Sequence, residues 1–283
     1  AGRRYRGDPG GRCTGNVGRE LVRILAADGE RVLALTRDPV TAAVPSGATA
    51  VGGDLNDPGS LTDALAGVRA MFLLSGYRDL PILLERAGRL GVERVVLLSG
   101  SAATARDTDN AVSGYMLASE SAVRGCGLAW TILRPVSFMS NTLQWARQMR
   151  VGDTVRVPFA AVPAAVIDPF DIAAVAGIAL RSGAHDARAY TLTGPEALSP
   201  ADRLRQLSAV LGRRLRLVEQ SNEQARAEMA ATTPADYVHA FFRFYAEGML
   251  DEATPQPTVA EITGRPPRTF REWAQAHRAA FAY

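Results

Sequence analysis

Gly15 and Gly18 stand three residues apart in Thr14-Gly15-Asn16-Val17-Gly18, and an apolar-periodic run begins directly behind them. Glycines so placed let backbone and ligand approach without an intervening Cβ. Val17, Leu21 and Leu25 form one apolar stripe that stops at Asp28-Gly29, the pattern of an amphipathic helix. The first amides of such a helix are unpaired and lie at the positive end of its dipole, which suits a phosphate. Arg31-Val32-Leu33-Ala34-Leu35 then reads as a strand ending at Thr36-Arg37. An acidic residue about 20 positions beyond the glycines suits the ribose of NAD, whereas an arginine suits the extra phosphate of NADP. Arg37 therefore favours NADP as cofactor, and the neighbouring Asp38 keeps NAD open.

The segment ahead of the turn fits this pattern poorly. A dinucleotide fold needs a buried apolar strand there, but Ala1 to Arg12 carries four arginines, a proline and no β-branched residue. Such a run makes a poor central strand. Arg12 also occupies the place where a glycine is expected, three residues before Gly15. Residues 1–12 are read either as a badly degraded first strand or, the favoured reading, as an aberrant or disordered arm that is a reading-frame artefact.

Composition narrows the remaining classes. The 283 residues suffice for one large α/β domain or two smaller lobes, and 47% hydrophobic content fits a globular chain. No apolar run approaches the roughly 18 residues of a membrane span, and no signal peptide is visible, so a cytoplasmic location is expected. Every basic residue is arginine, which removes any Schiff-base lysine or Tyr-x-x-x-Lys pair. Beyond residue 12 the chain has 28 basic and 28 acidic residues, so no basic face for nucleic acid is expected. Cys13, Cys126 and the histidines at 185, 239 and 277 share no ligand-like spacing, and no metal site is expected.

The elements that would position the turn alternate as strands and helices, the signature of a doubly wound parallel sheet. Strands are expected at 48–51, 70–74, 94–98 and 130–135, the later ones apolar enough to be covered on both faces. Ser60-Leu61-Thr62-Asp63 reads as a capping box opening a helix. Further helices are expected at about 80–90 and 115–124. Residues 165–167 and 189–193 read as returning sheet, with a helix at 171–180 between them. Beyond these, helices at 201–211, 223–231 and 235–247, an arginine-rich strand at 214–218 and a last helix capped by Thr269 suggest a smaller, mainly helical lobe. The division expected is a dinucleotide-binding Rossmann domain over 13–155 and a substrate lobe over 156–283, with 165–194 partly returning to the first sheet.

Thr14-Gly15-Asn16-Val17-Gly18-Arg19, Leu35-Thr36-Arg37-Asp38-Pro39, Gly53-Asp54-Leu55, Trp130 to Pro135 with Phe138-Met139-Ser140-Asn141, and Thr191-Leu192-Thr193-Gly194-Pro195 form an ordered set. Together they resemble the NmrA-like branch of the atypical short-chain dehydrogenase/reductases, over residues 13 to 283. The resemblance implies NADP or NAD in a Rossmann lobe. It implies either reduction of quinone-like, azo or carbonyl acceptors, or a non-catalytic sensor of the dinucleotide that regulates a partner. It also implies that Thr14, Gly15, Asn16, Val17 and Gly18 bind the cofactor, with Asn16 and Val17 meeting the pyrophosphate and Arg37 the adenosine 2′-phosphate. Asp54 and Leu55 would lie at the adenine, Ser75, Gly76 and Ser99 near the nicotinamide ribose, and Pro135, Val136 and Phe138 along the nicotinamide.

Each assignment has a plainer counterpart. The glycine turn could be an ordinary strand–helix connection, Arg37 a solvated loop residue, and Ser75, Gly76 and Ser99 simple turn chemistry. Tyr115 is the one candidate catalytic proton donor. With Ser119 rather than lysine four positions on, it reads more readily as an amphipathic helix residue. The aromatic run from His239 to Tyr245 suits either a flat substrate or helix packing. The leading expectation is an NADPH-preferring oxidoreductase for a small, aromatic acceptor, with no nucleic-acid or membrane partner and the oligomeric state open. The alternatives are the sensor and, disfavoured by the missing Tyr–Lys pair, an NAD-dependent epimerase-like enzyme.

Overall fold

The computed structural model describes residues 15–281. Thr14 and the arm at 1–12 lie outside them. Helix α1 (Asn16–Ala27) leads to β1 (Val32–Thr36) and β2 (Ala48–Gly52), and the alternation continues through β3 (Ala70–Leu74), α2 (Leu80–Arg89), β4 (Arg94–Leu98), α3 (Ala111–Arg124) and β5 (Ala129–Pro135). Then come α4 (Trp145–Met149), β6 (Thr154–Val157), α5 (Pro169–Arg181) and β7 (Arg188–Leu192). The last elements are α6 (Pro200–Leu211), β8 (Arg216–Glu219), α7 (Asn222–Ala230), α8 (Ala235–Tyr245), α9 (Thr258–Thr263) and α10 (Phe270–Ala276).

Strands β3, β4, β5 and β7 form a parallel sheet in that order, with Leu74 beside Leu98, Leu98 beside Leu133 and Pro135 beside Leu192. Alternate side chains of a strand face opposite sides of the sheet, and here both sides are covered. Val96 and Leu98 of β4 pack with Val17 and Leu21 of α1 and Ile172 and Val175 of α5. Val95 and Leu97 pack with Leu83 and Leu84 of α2 and Val123 of α3. Each fully buried Val, Leu or Ile contributes roughly 1.5–3 kcal/mol, which explains why these strands read as unbroken apolar runs. The fold is α/β and Rossmann-like.

Strand β1 pairs in parallel with β2. Between β1 and β3 opens a cavity of about 910 Å³, lined by Leu33, Leu35, Phe72 and Leu74 from the two strands and by Val17 and Leu21 of α1. A third sheet, β6 with β8, belongs to a separate apolar cluster formed with α4, α6 and α10 around Trp145, Phe270 and Trp273.

Several expected elements differ in detail. No α-helix opens at Ser60: the Asp57 carboxylate takes the Gly59 amide, and a short 3-10 turn, Pro58–Leu61, forms instead. The Ser60 hydroxyl accepts from the Asp54 amide rather than capping a helix. Helix α3 starts four residues before Tyr115, because the Asn110 side chain caps it by accepting from the Val112 and Ser113 amides. Residues 165–167 make only an isolated bridge, Ile167 to Phe138, rather than a strand. The strand expected at 214–218 lies at 216–219, following the left-handed Gly212 that ends α6.

Candidate active site

The start of α1 has the features an anion needs. Gly15 is its N-cap, among the described residues no side chain caps the first turn, and no acidic residue lies in that turn. The leading amides therefore keep their donors for a ligand. Gly15, Asn16, Val17 and Gly18 line the cavity together with Leu55 and Phe138. The side-chain amide of Asn16 donates to Ser140 Oγ at 2.9 Å, which ties this turn to the loop leaving β5.

Arg37 and Asp38 follow the end of β1. The Asp38 carboxylate is engaged by its own loop, accepting from the Val40 and Thr41 amides and the Thr41 hydroxyl. Those bonds, chiefly from Thr41, hold its carboxyl below the ordinary range. Arg37 is exposed and makes no hydrogen bond or ion pair among the described residues. Asp54, beyond β2, bridges to Asp57 and accepts from the Asn56 amide. Its charge adds to burial in pushing the Tyr77 hydroxyl up to about 12.

Gly76, just past β3, adopts a φ of +100°, a left-handed conformation that glycine tolerates without strain. Its amide donates to Ser119 Oγ at 3.0 Å, and Ser119 in turn donates to the Tyr115 carbonyl. A Cβ at Gly76 would lie 3.5 Å from the Tyr115 ring, which stacks on Tyr237 with centroids 6.3 Å apart. Tyr115 and Gly76 are thus neighbours. The Ser75 hydroxyl donates to the Leu98 carbonyl, and the Ser99 hydroxyl to Glu120 at 2.8 Å. Both oxygens keep lone pairs for a ligand but have spent their donors. Pro135 and Val136 are buried, and Val136 packs in the core beneath the sheet's end rather than lining the cavity.

Two glutamates are buried at the exits of β4 and β5. Glu120 accepts from Ser99 and forms a two-bond pair with Arg134, with Arg124 alongside. Burial opposes its ionisation, but the Arg134 and Ser99 hydrogen bonds and the arginine charges hold its carboxyl below the usual range. Glu252 accepts from Ser101, Ser137 and Tyr245. Glu252, Arg203, Ser140 and Tyr77 went unassigned in the sequence, because their partners are distant in the chain and no local spacing announces them. The aromatic run divides: Phe242 and Phe244 pack in helix clusters, while the Tyr245 hydroxyl turns to Glu252. His239 is exposed, and His185 and His277 bond to Tyr190 and to the Trp273 carbonyl. Among the described residues no group of three or more His, Cys, Asp or Glu could hold a metal, and no helix is long and apolar enough to cross a membrane.

Comparison with known proteins bears on the family and the fold. A family model described as NAD(P)H-binding matches residues 13–173. The chain is 39% identical to a (4-alkanoyl-5-oxo-2,5-dihydrofuran-3-yl)methyl phosphate reductase of Streptomyces griseus, covering 95% of this chain and 97% of the relative. It is 35% identical to an NAD(P)H azoreductase of Xenophilus azovorans, covering 95% and 96%. An NADPH-dependent quinone oxidoreductase from Escherichia coli superposes with a TM-score of 0.77 over 93% of this chain and 97% of its own, at 20% identity, and so shares the fold. The chain belongs to the NAD(P)H-binding family, in keeping with the NmrA-like pattern of its motifs.

Proposed function

We propose that this member of the NAD(P)H-binding family is an NADPH-preferring reductase that passes hydride to a small quinone-like, azo or carbonyl acceptor. The observation that carries the reading is the start of α1, uncapped among the described residues, in a chain whose full-length relatives are named as reductases. The α1 amides would hold the diphosphate. Arg37 would take the 2′-phosphate, and the engagement of Asp38 by its own loop supports NADP over NAD. Asp54 and Leu55 would border the adenine, Ser75, Gly76 and Ser99 the nicotinamide ribose, and Phe138, with Pro135 behind it, the nicotinamide. Residues 13–155 would carry this cofactor site, and 156–283 would cover the acceptor.

When bound, the reduced nicotinamide supplies the hydride, and the chain's residues bind, orient and exclude water. The acceptor gains one hydride and one proton, and the cofactor leaves oxidised. A quinone or azo group that has taken hydride is basic enough to draw its proton from water. Tyr115, beside Gly76, would then position the acceptor more than protonate it. The test is NADPH oxidation across a panel of quinones, azo compounds and carbonyls. Turnover with reduced acceptor as product is expected; tight NADPH binding with no oxidation across the panel would replace this reading with a dinucleotide sensor.

A further inference from the structure

A buried carboxylate and a half-buried arginine lie together beyond the exits of β4 and β5, without a bond between them among the described residues. Glu252, 6% exposed, has its oxygens occupied by three hydroxyls: Ser101, Ser137 at 2.7 Å and Tyr245 at 3.4 Å. Arg203, in the first turn of α6, feels the charge of Glu252 but makes no side-chain hydrogen bond among the described residues. Its Nε is buried without a partner, and its Cζ sits 5.4 Å from the centre of the Trp145 ring. Burial lowers the guanidinium pKa to about 10, with Tyr245 and Glu252 opposing the shift.

A guanidinium carries five donors in a rigid fork. Of these, Nε is buried and unmet among the described residues, a costly arrangement that calls for a partner. Glu252 explains how the cation is tolerated without being consumed. Its charge offsets that of Arg203, while three hydroxyls take most of its lone pairs and leave the fork free. The fork matches the paired oxygens of a carboxylate or phosphate. Ser101 and Ser137 follow the carboxyl ends of parallel strands, the edge at which open α/β sheets bind ligands.

We propose that Arg203 anchors an anionic oxygen group, carboxylate or phosphate monoester, on the acceptor, with the hydroxyl-bound Glu252 holding the guanidinium in place. This rests on the reductase reading for its biological meaning, but its test does not need turnover. The protein, with and without saturating NADPH, is titrated calorimetrically with 2-naphthoate, 2-naphthyl phosphate and the neutral 2-naphthamide. At least one anion should bind about tenfold or more tightly than the amide, a difference of about 1.4 kcal/mol. Whichever anion wins identifies the group. Arg203→Gln should erase the preference, and Arg203→Lys, which keeps the charge but loses the fork, should restore part of it; NADPH affinity reports that each variant is folded. Equal binding of anions and amide, no binding of either anion, or a preference that survives Arg203→Gln would overturn the proposal. Because NADPH oxidation is measured separately, the reductase reading and this one fail independently.

Discussion

Glu120 and Glu252 are buried to within a few per cent at the same sheet edge, each fed by residues leaving β4 and β5, yet they are satisfied in opposite ways. Ser99 and the fork of Arg134 close around Glu120, so its charge and its lone pairs are met by the same neighbours. Just past the ends of β4 and β5, Ser101 and Ser137 meet lone pairs of Glu252, while its nearby cation, Arg203, makes no side-chain hydrogen bond among the described residues. The first arrangement is a closed tie between α3 and the sheet. The second separates charge compensation from hydrogen bonding and leaves a guanidinium with donors to spare. Burial alone does not distinguish a structural carboxylate from one that serves a binding site; the identity of its donors does.

The largest contrast should appear in stability. Glu120→Gln leaves the half-buried Arg134 beside a neutral amide and should cost about 3 kcal/mol in chemical denaturation, whereas Glu252→Gln keeps partners for its hydroxyls and should cost about 1–2 kcal/mol. Equal losses would remove the distinction. The same pair separates in acid. The folded carboxyl of Glu120 lies below its usual value, so its contribution is complete above the ordinary glutamate pKa of about 4.3 and is lost as pH falls through the lowered folded value. The Glu120→Gln variant should lack that component of acid sensitivity when stability is followed from pH 6 downward.

A smaller effect sharpens the comparison further. Ser137→Ala removes one donor from Glu252 and frees that oxygen to accept from Arg203. The preference for 2-naphthoate over 2-naphthamide should then fall about threefold, a change near 0.6 kcal/mol, with little change in the denaturation midpoint. An unchanged preference would show that hydroxyl occupation of Glu252 does not keep the fork free.

The sequence carried the central sheet clearly because β3, β4 and β5 are short apolar runs, the pattern that burial on two faces demands. Strand β6 escaped notice because Thr154-Val155-Arg156-Val157 is too short and too polar on alternate residues to stand out. Ser60 misled because a Ser-x-x-Asp spacing is local, while the competing Asp57 turn draws the same backbone into a 3-10 turn. The glycine turn and Arg37 invited their proposed phosphate role from the sequence alone, since such a site is built from consecutive backbone. The Asn16–Ser140 bond spans 124 positions and the Ser101–Glu252 bond 151, and no spacing rule reaches that far.

The central claim is that the start of α1 and Arg37 together hold a phosphorylated dinucleotide. Its most direct measurement is the dissociation constant of NADPH and of NADH for the unaltered chain and for Arg37→Ala. The account predicts tighter NADPH binding in the former and a selective loss of about tenfold for NADPH in the latter, near 1.4 kcal/mol, with NADH unchanged. An equal loss for both dinucleotides, or no preference to lose, would contradict it.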